Sequence, residues 1–503
     1  MAPSRDQVLQ ALERVIDPEL QRPVTDLDMV RDVRIEGDAA AQRAVRFAVY
    51  HLVSAANPED DGVSIPARAL TGEGYRGHVF WETEVYGLPF YLYTDPDSAR
   101  ALLGYRWRTL PAARRRAREL GWSGALFAWE SADSGEDVTP RAVFRVETGR
   151  VEPIETWRRA HHIVADVAFA AARYDEATGD EAFFLERGAE LLLSCAQFWA
   201  SRAERAAEGS HIRDVVGPDE YHPGVDDDAY TNALAARALE QGAAALARLE
   251  ARAPARAAAL RAALGVRPED ADRWQAIARG LVLRCDPARG IYEQFDGYFR
   301  LEDIELSGVP RGPGRPVDAW LGPARVAASQ VHKQPDVLLF LWLLRERYGV
   351  ETLRANYRYY EPRCAHASSL SLPVHAAVAA AAGELEDALR YLAWSAAVDL
   401  DPELGLGDVG VHAGTLGGIW QAVVLGFGGV RPRADGFALD PRIPPGWRAL
   451  RFRLRWRGRT VAFALGPRRA AARVAPDAAG PVVVEVRGSA RRLAPGCAGR
   501  WRW

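Results

Sequence analysis

Hydrophobic and polar positions follow two different rhythms along this chain. Over residues 39–429, apolar residues recur at helical spacing in one long segment after another. Residues 41–55 form one amphipathic stretch. Residues 96–120 form a second, with Leu102, Leu103, Tyr105, Trp107 and Leu110 set among arginines. Residues 158–174 and 181–200 predict a helical pair joined at Thr178-Gly179-Asp180, a stop followed by a cap. Residues 228–252 and 256–264 are alanine-rich, with Pro254 expected as the breaker between them. Residues 335–348, 373–382 and 385–398 continue the alternation. Helical hairpins repeated over such a length stack into an open solenoid or close into a ring, and periodicity does not choose between the two.

After Gly428-Gly429 the period changes to two. Residues 449–465 and 481–488 alternate β-branched or aromatic residues with polar ones, which predicts a small β domain over 430–503. Residues 1–38 are different again: Val8, Leu9, Leu12 and Val15 fit a helix over 6–15, and 30–35 alternates as a strand. Three segments are therefore expected: 1–38, 39–429 and 430–503.

With 503 residues the chain is too long for one compact core. Its 48% hydrophobic and 26% charged residues are ordinary for a soluble globular protein. A net charge of -3 gives no reason to expect nucleic acid or an anionic membrane as partner. Cys195, Cys285, Cys364 and Cys497 lie far apart without a C-x-x-C pair, so reduced thiols are expected, with no metal site and no disulfide frame. No apolar run is long enough to span a bilayer and no leader opens the chain, so a cytoplasmic protein is expected. The 15 tryptophans tilt the reading toward carbohydrate, whose C–H faces pack on flat rings.

The chemistry concentrates in a few stretches. Gly217-Pro218 must break the buried run ending at Val215-Val216, which leaves Asp219 and Glu220 on a loop before the helix that follows Asn232. A carboxyl fixed there, flanked by Tyr221 and His222, suits a general acid; the same residues would equally serve as a capping loop. Residues 72–90 mix aromatics with carboxylates, a set that packs on a pyranose and grips its hydroxyls, or that simply fills a core. Residues 127–140 read as an acidic surface loop. His332-Lys333-Gln334 precede a helix at Pro335. Serines in 365–375 and glycines in 411–429 expose N–H and O–H donors able to surround an anion.

Together, GPDEYHPGVDDDAYTN, GEGYRGHVFWETEVYGLPF, FAWESADSGEDVTP, HKQPDV, AHASSLSLPVH and VHAGTLGGIWQ resemble glycoside hydrolase family 65, the maltose, kojibiose and trehalose phosphorylases. The resemblance covers about 39–503. It implies a mainly α fold, an (α/α)6 barrel followed by a small C-terminal β-sandwich. The family's large N-terminal β-sandwich and helical linker are expected to be absent. It implies Glu220 as general acid, and Trp81, Glu82, Trp129, Glu130, Lys333 and Gln334 around the glucosyl unit. It further implies Ser368, Ser369, His412 and Thr415 around phosphate, and it allows a homodimer. Glu82 stands where the family usually has Asp, Cys364 where it usually has Thr, and Asp227 or Asp228 where it usually has Asn. Residues 1–38 resemble the opening of a MIP18-like domain of iron–sulfur assembly proteins.

The resemblance implies an inverting phosphorylase with inorganic phosphate as co-substrate and no cofactor. An inverting hydrolase needs a base to activate water. Phosphate is already an anionic nucleophile near neutral pH, with a second pKa of about 6. Residues 411–421 offer donors and no carboxylate, which favours phosphate. The competing readings are a hydrolase of the same family with Asp408 as base, and an inactive truncated sugar-binding protein.

Overall fold

The computed structural model describes residues 33–145, 149–315, 317–404 and 406–503. The helix expected over 6–15 lies outside the described residues. The first described helix, Ala39–Ala55, is capped by Asp38, whose carboxylate accepts the Ala41 N–H at 3.0 Å. It buries Ala41, Ala44, Val45, Ala48, Val49 and Leu52, one stripe at helical spacing. That stripe packs on Leu385–Leu400 and Ala413–Gln421, among the last helices of the chain. Between them Ile163–Thr178, Ala189–Arg202, Ala229–Arg252, Asp336–Leu343, Val350–Tyr360 and Ser371–Ala382 pack on their neighbours in turn. First meeting last makes this a closed ring, the alternative that periodicity left open.

Proline sets two boundaries differently from the sequence expectation. Residues 96–120 form two helices, Pro96–Arg108 and Leu110–Glu119. Pro111 lacks an N–H and its ring would strike the preceding turn, so the first helix ends and Pro111 takes the first turn of the next. Pro254 likewise opens the helix Pro254–Leu264, and the break falls at Ala253, whose φ of −144° and ψ of 70° are not helical. Among the described residues no helix is long and apolar enough to cross a membrane.

The carboxy-terminal β region forms two sheets. One is five-stranded and carries the antiparallel run Ala449–Trp456, Arg459–Gly466, Arg469–Val474 and Ala498–Arg502. The other contains Val430–Arg433, Gly436–Leu439, Val482–Val486 and Ser489–Leu493. Alternate residues Leu450, Phe452, Leu454 and Trp456 are buried. Tyr93 stacks on Trp420 of the ring and on Trp456 of the sheet, each at 6.3 Å between centroids.

The fifth strand of the larger sheet comes from the other end of the chain. Arg34–Glu36 pairs antiparallel with Arg451–Ala449. Residues 34–36, expected within a separate 1–38 segment, thus belong to this sheet. The Gln42 side chain accepts the Ile35 N–H and donates to the Val33 carbonyl, and the Trp447 indole donates to Asp38 at 3.2 Å. An edge strand held on both sides costs stability when removed. A chain beginning at Ala39 should therefore unfold several degrees below one beginning at Val33, since loss of the Asp38 cap alone costs about 1 kcal/mol. Thermal scans of the two truncations check this, and equal midpoints would count against it.

Candidate active site

Ala189–Arg202 ends the helix before the acid loop, and the short hairpin Glu204–Ala206 with Gly209–His211 carries the chain toward it. Val215 and Val225 exchange backbone bonds at 3.0 Å, which pinches 216–224 into a closed loop. The centre of that loop is Asp219, 1% exposed. Its Oδ1 accepts the backbone N–H of Lys333 at 2.7 Å and of Tyr221 at 3.2 Å. Its Oδ2 accepts His222 Nδ1–H at 2.6 Å and the Gln294 amide at 2.8 Å. His222 Nε2 lies 2.9 Å from the Ser329 carbonyl. Both acceptors can only accept, so both ring nitrogens donate and His222 is an imidazolium. Burial works against both charges. The His222 cation and the donors nevertheless hold the Asp219 carboxyl below its usual range, and Asp219 holds His222 above its own.

Beneath the loop two more carboxyls meet. The Asp219 N–H donates to Asp336 at 2.8 Å, and Asp228 caps Ala229–Arg252 through the Thr231 N–H at 2.7 Å. Burial, followed by the nearby Asp228 and Asp219 carboxyls, raises Asp336 well above its ordinary value, and burial raises Asp228. Gly217 allows this approach: a Cβ there would sit 2.2 Å from Asp336 Oδ2.

Glu220 points the other way. Its side chain is 33% exposed and ion-paired with Lys333 Nζ at 2.9 Å. Burial pulls the Lys333 ammonium down and Glu220 more than restores it, leaving the net direction up. Gln334 donates to the Pro218 carbonyl at 2.9 Å, and its Oε1 is buried without a partner. The acid loop and the Lys333-Gln334 pair, over a hundred residues apart in sequence, are thus one unit.

Trp81 and Trp129 line the neighbouring wall, stacked at 6.5 Å and 27°. Trp81, 1% exposed, also meets His162 at 4.8 Å and Tyr230 at 6.1 Å, edge to face. Tyr230 belongs to the acid segment and donates to Asp166 at 2.6 Å. Glu130 is bonded to His78 Nδ1 at 2.8 Å. Glu82 is half-buried, and burial raises its carboxyl to about 7. Tyr75 is exposed, in the left-handed region at φ 59°, with its ring edge-on to Phe80 at 5.1 Å and under the Arg68 guanidinium at 5.4 Å.

The segment proposed for phosphate arrives beside Glu82. A Cβ on Gly414 would stand 2.5 Å from Leu370 and 3.0 Å from Glu82, so the start of Ala413–Gln421, the stretch after Ser368 and Ser369, and Glu82 converge. Both serines are half-buried. Thr415 Oγ1 is buried without a partner. His412 brings a carboxylate that the sequence did not: Asp399, from Leu385–Leu400, accepts His412 Nδ1–H at 2.6 Å and the His412 N–H at 3.0 Å. Asp408 sits exposed on the turn Gly407–Val409.

Asp219, His222, Gln294, Asp336 and Asp399 escaped the sequence reading as site residues. Asp219 was visible beside Glu220, yet adjacency could not say which carboxylate turns inward. Gln294, Asp336 and Asp399 carried no local pattern.

A closed ring of helices that turns Glu220 toward solvent defines an (α/α)6-barrel protein. The chain belongs to glycosyl hydrolase family 65: the family's central catalytic domain matches residues 46–421 and its C-terminal domain matches 430–493. Residues 5–50 match the iron-sulfur cluster assembly protein family. The chain is 39% identical to the kojibiose phosphorylase of Halothermothrix orenii over 435 residues, which is 86% of this chain and 55% of that protein. It is 36% identical to the alpha,alpha-trehalose phosphorylase of Thermoanaerobacter brockii, over 86% of this chain and 54% of that one. It is also 36% identical to the 1,2-alpha-glucosylglycerol phosphorylase of Bacillus selenitireducens, over 86% and 57%. The chain spans about half the length of the curated relatives it matches. A solved human-microbiome structure provisionally described as a kojibiose phosphorylase superposes with a TM-score of 0.84 at 25% identity, covering 95% of this chain and 68% of that one.

Two expectations follow from this geometry. Asp219→Asn removes the anion that balances His222 and turns an amide donor toward another donor; breaking a buried pair costs ~3–5 kcal/mol. Denaturant unfolding should show a loss of that order, while Glu220→Gln, half-exposed, stays near the parent; equal stability of Asp219→Asn and parent would contradict the hub. Glu82, with its folded value of about 7 above the free 4.5, binds a proton in the folded state that the unfolded chain has released. Its contribution is full below 4.5 and lost as pH rises through 7. Glu82→Gln should therefore gain thermal midpoint relative to the parent between about pH 5 and about pH 8. A difference independent of pH would show that Glu82 is not perturbed.

Proposed function

We propose that this chain is an inverting disaccharide phosphorylase. It cleaves an α-glucosidic disaccharide of the kojibiose, maltose, trehalose or nigerose type with phosphate, giving β-glucose 1-phosphate and a free sugar. The observation that carries the proposal is the pair His412–Asp399. Both Asp399 oxygens are occupied by His412 N–H groups, so this carboxylate is engaged as a support for the ring and not free to activate water. With Nδ1–H given to Asp399, His412 keeps a lone pair on Nε2, which can accept the hydroxyl proton of a hydrogen phosphate. The three family 65 relatives compared above are all phosphorylases by name, which supports the same reading.

The residues then divide the work. Trp81 and Trp129 supply the apolar wall for the glucosyl ring, and Glu82, Glu130, Lys333 and Gln334 its hydroxyl partners. Sugar hydroxyls compete for Lys333 Nζ, which frees the Glu220 carboxyl to face the interglycosidic oxygen. As the general acid, Glu220 donates a proton to that oxygen as the C1–O bond breaks. Phosphate, held by Ser368, Ser369, His412 and Thr415, attacks C1 from the opposite face. The proton that phosphate gives up on forming the ester restores the acid. Asp219 stays ionised throughout, because four donors occupy it.

Incubating the chain with each disaccharide, with and without phosphate, tests the proposal. Proton NMR of the early product should show β-glucose 1-phosphate only when phosphate is present. Glu220→Gln should lower turnover by at least ~10²–10⁴-fold with sugar binding retained, since an amide cannot donate the proton. Equal release of glucose without phosphate would establish a hydrolase. Sugar binding without turnover in the parent would leave only a binding protein.

A further inference from the structure

Behind the serines lies a second cluster with its own chemistry. Cys364, His366 and His375 are each fully buried, and their ligand atoms lie within 4.8 Å of one another. The hydrogen bonds fix how each imidazole is protonated. Tyr391 donates its hydroxyl proton to Glu361, whose carboxylate also takes Arg311 at 2.9 Å and Arg390 at 3.3 Å. With that proton used, His366 Nε2–H must donate to the Tyr391 oxygen, 3.1 Å away. The lone pair of His366 therefore sits on Nδ1, 3.5 Å from Cys364 Sγ. Ser371 Oγ is 2.9 Å from the same nitrogen, but it bonds the Ser368 carbonyl at 3.0 Å. His375 is fixed in the same sense: its Nδ1 lies 2.8 Å from the Ser371 carbonyl, which can only accept, so Nε2 is bare. Buried, Nε2 has no partner.

We propose that Cys364, His366 and His375 form a buried site for a zinc-class divalent cation. Two unprotonated imidazole nitrogens and a thiol are the donor set such a cation prefers over calcium or magnesium, which take oxygen. Bond lengths of about 2.0–2.3 Å place tetrahedral nitrogen and sulfur ligands ~3.3–3.6 Å apart, so closure from the observed spacing needs only small side-chain shifts. The Glu361–Tyr391–His366 chain is the kind of support that orients a metal-bound histidine. Burial raises the Cys364 thiol and lowers His375 to about 4. The imidazole is thus already neutral, and the cation would take the thiolate with release of one proton.

The site has a structural consequence. Ala365 N–H bonds the His332 carbonyl at 2.8 Å, next to Lys333, and His375 lies on Ser371–Ala382. A cation here ties the segment carrying Ser368 and Ser369 to that helix and to the segment carrying Lys333. The sequence reading expected no metal because Cys364 has no cysteine neighbour; the third donor, His375, comes from a separate helical turn.

Because the cluster is closed, loading is best done during synthesis. The full chain would be produced in cobalt-supplemented, zinc-poor medium and gel-filtered. We expect about one cobalt per chain and a thiolate-to-cobalt charge-transfer band in the near ultraviolet. The band should vanish in Cys364→Ser and persist in Cys285→Ser, whose thiol is exposed. X-ray absorption on the parent, which needs no variant to fold, should show one sulfur and two imidazole nitrogens. Absence of bound cobalt, a band that survives Cys364→Ser, or a shell without sulfur would each overturn the site.

Discussion

A single buried carboxylate, Asp219, holds the loop that carries Glu220 to the segment that carries Lys333 and Gln334. It gathers four donors from three stretches of chain: its own loop through Tyr221 and His222, the bend carrying Gln294, and the Lys333 backbone. An anion so deeply buried persists only because each of its lone-pair directions is used and a cation sits beside it. His222 supplies that cation and is itself anchored on the Ser329 carbonyl. The cost of burying both charges is offset by geometry that fixes the loop at one setting.

That rigidity separates the roles of two neighbouring acids. Asp219 turns inward and is saturated, so it has no proton to give and no freedom to move. Glu220, one residue later, is left at the surface with one partner, Lys333 Nζ, which a polar ligand can displace. The close approach of Gly217 to Asp228 and Asp336 beneath the loop, and the Asp219 N–H bond to Asp336, set the depth at which the turn sits. His412–Asp399 repeats the principle on the facing segment: a carboxylate orients a ring and leaves its outer nitrogen available.

The ring and the sheets are coupled through few but specific contacts. Ala39–Ala55 closes the ring on Ala413–Gln421, and the strand immediately before it, Arg34–Glu36, joins the larger carboxy-terminal sheet. Asp38 caps the helix and accepts the Trp447 indole, so one side chain serves both parts. Tyr93, wedged between Trp420 and Trp456, extends that coupling toward the helix whose start faces Glu82.

The sequence by itself determined the helical middle, the β-rich end and the segments bearing Glu220, Trp81, Trp129, Lys333 and His412. Periods of 3.6 and two, turn residues and proline are local signals, readable wherever the chain later packs. It misjudged where proline acts, because a proline that ends one helix is also the residue best suited to begin the next. Periodicity could not decide that the helices close into a ring, since closure is a contact between the two ends of a pattern that looks the same open or closed; the family resemblance implied it and the tertiary structure shows it. Tertiary structure alone chose Asp219 over Glu220 as the inward acid, through Gln294 and Lys333. It alone brought Asp399 to His412, His375 to Cys364, and Arg34–Glu36 to a sheet more than four hundred residues away. Each of these is a pairing of polar groups across long sequence separation, where the strength lies in shared burial and leaves no periodic trace in either partner.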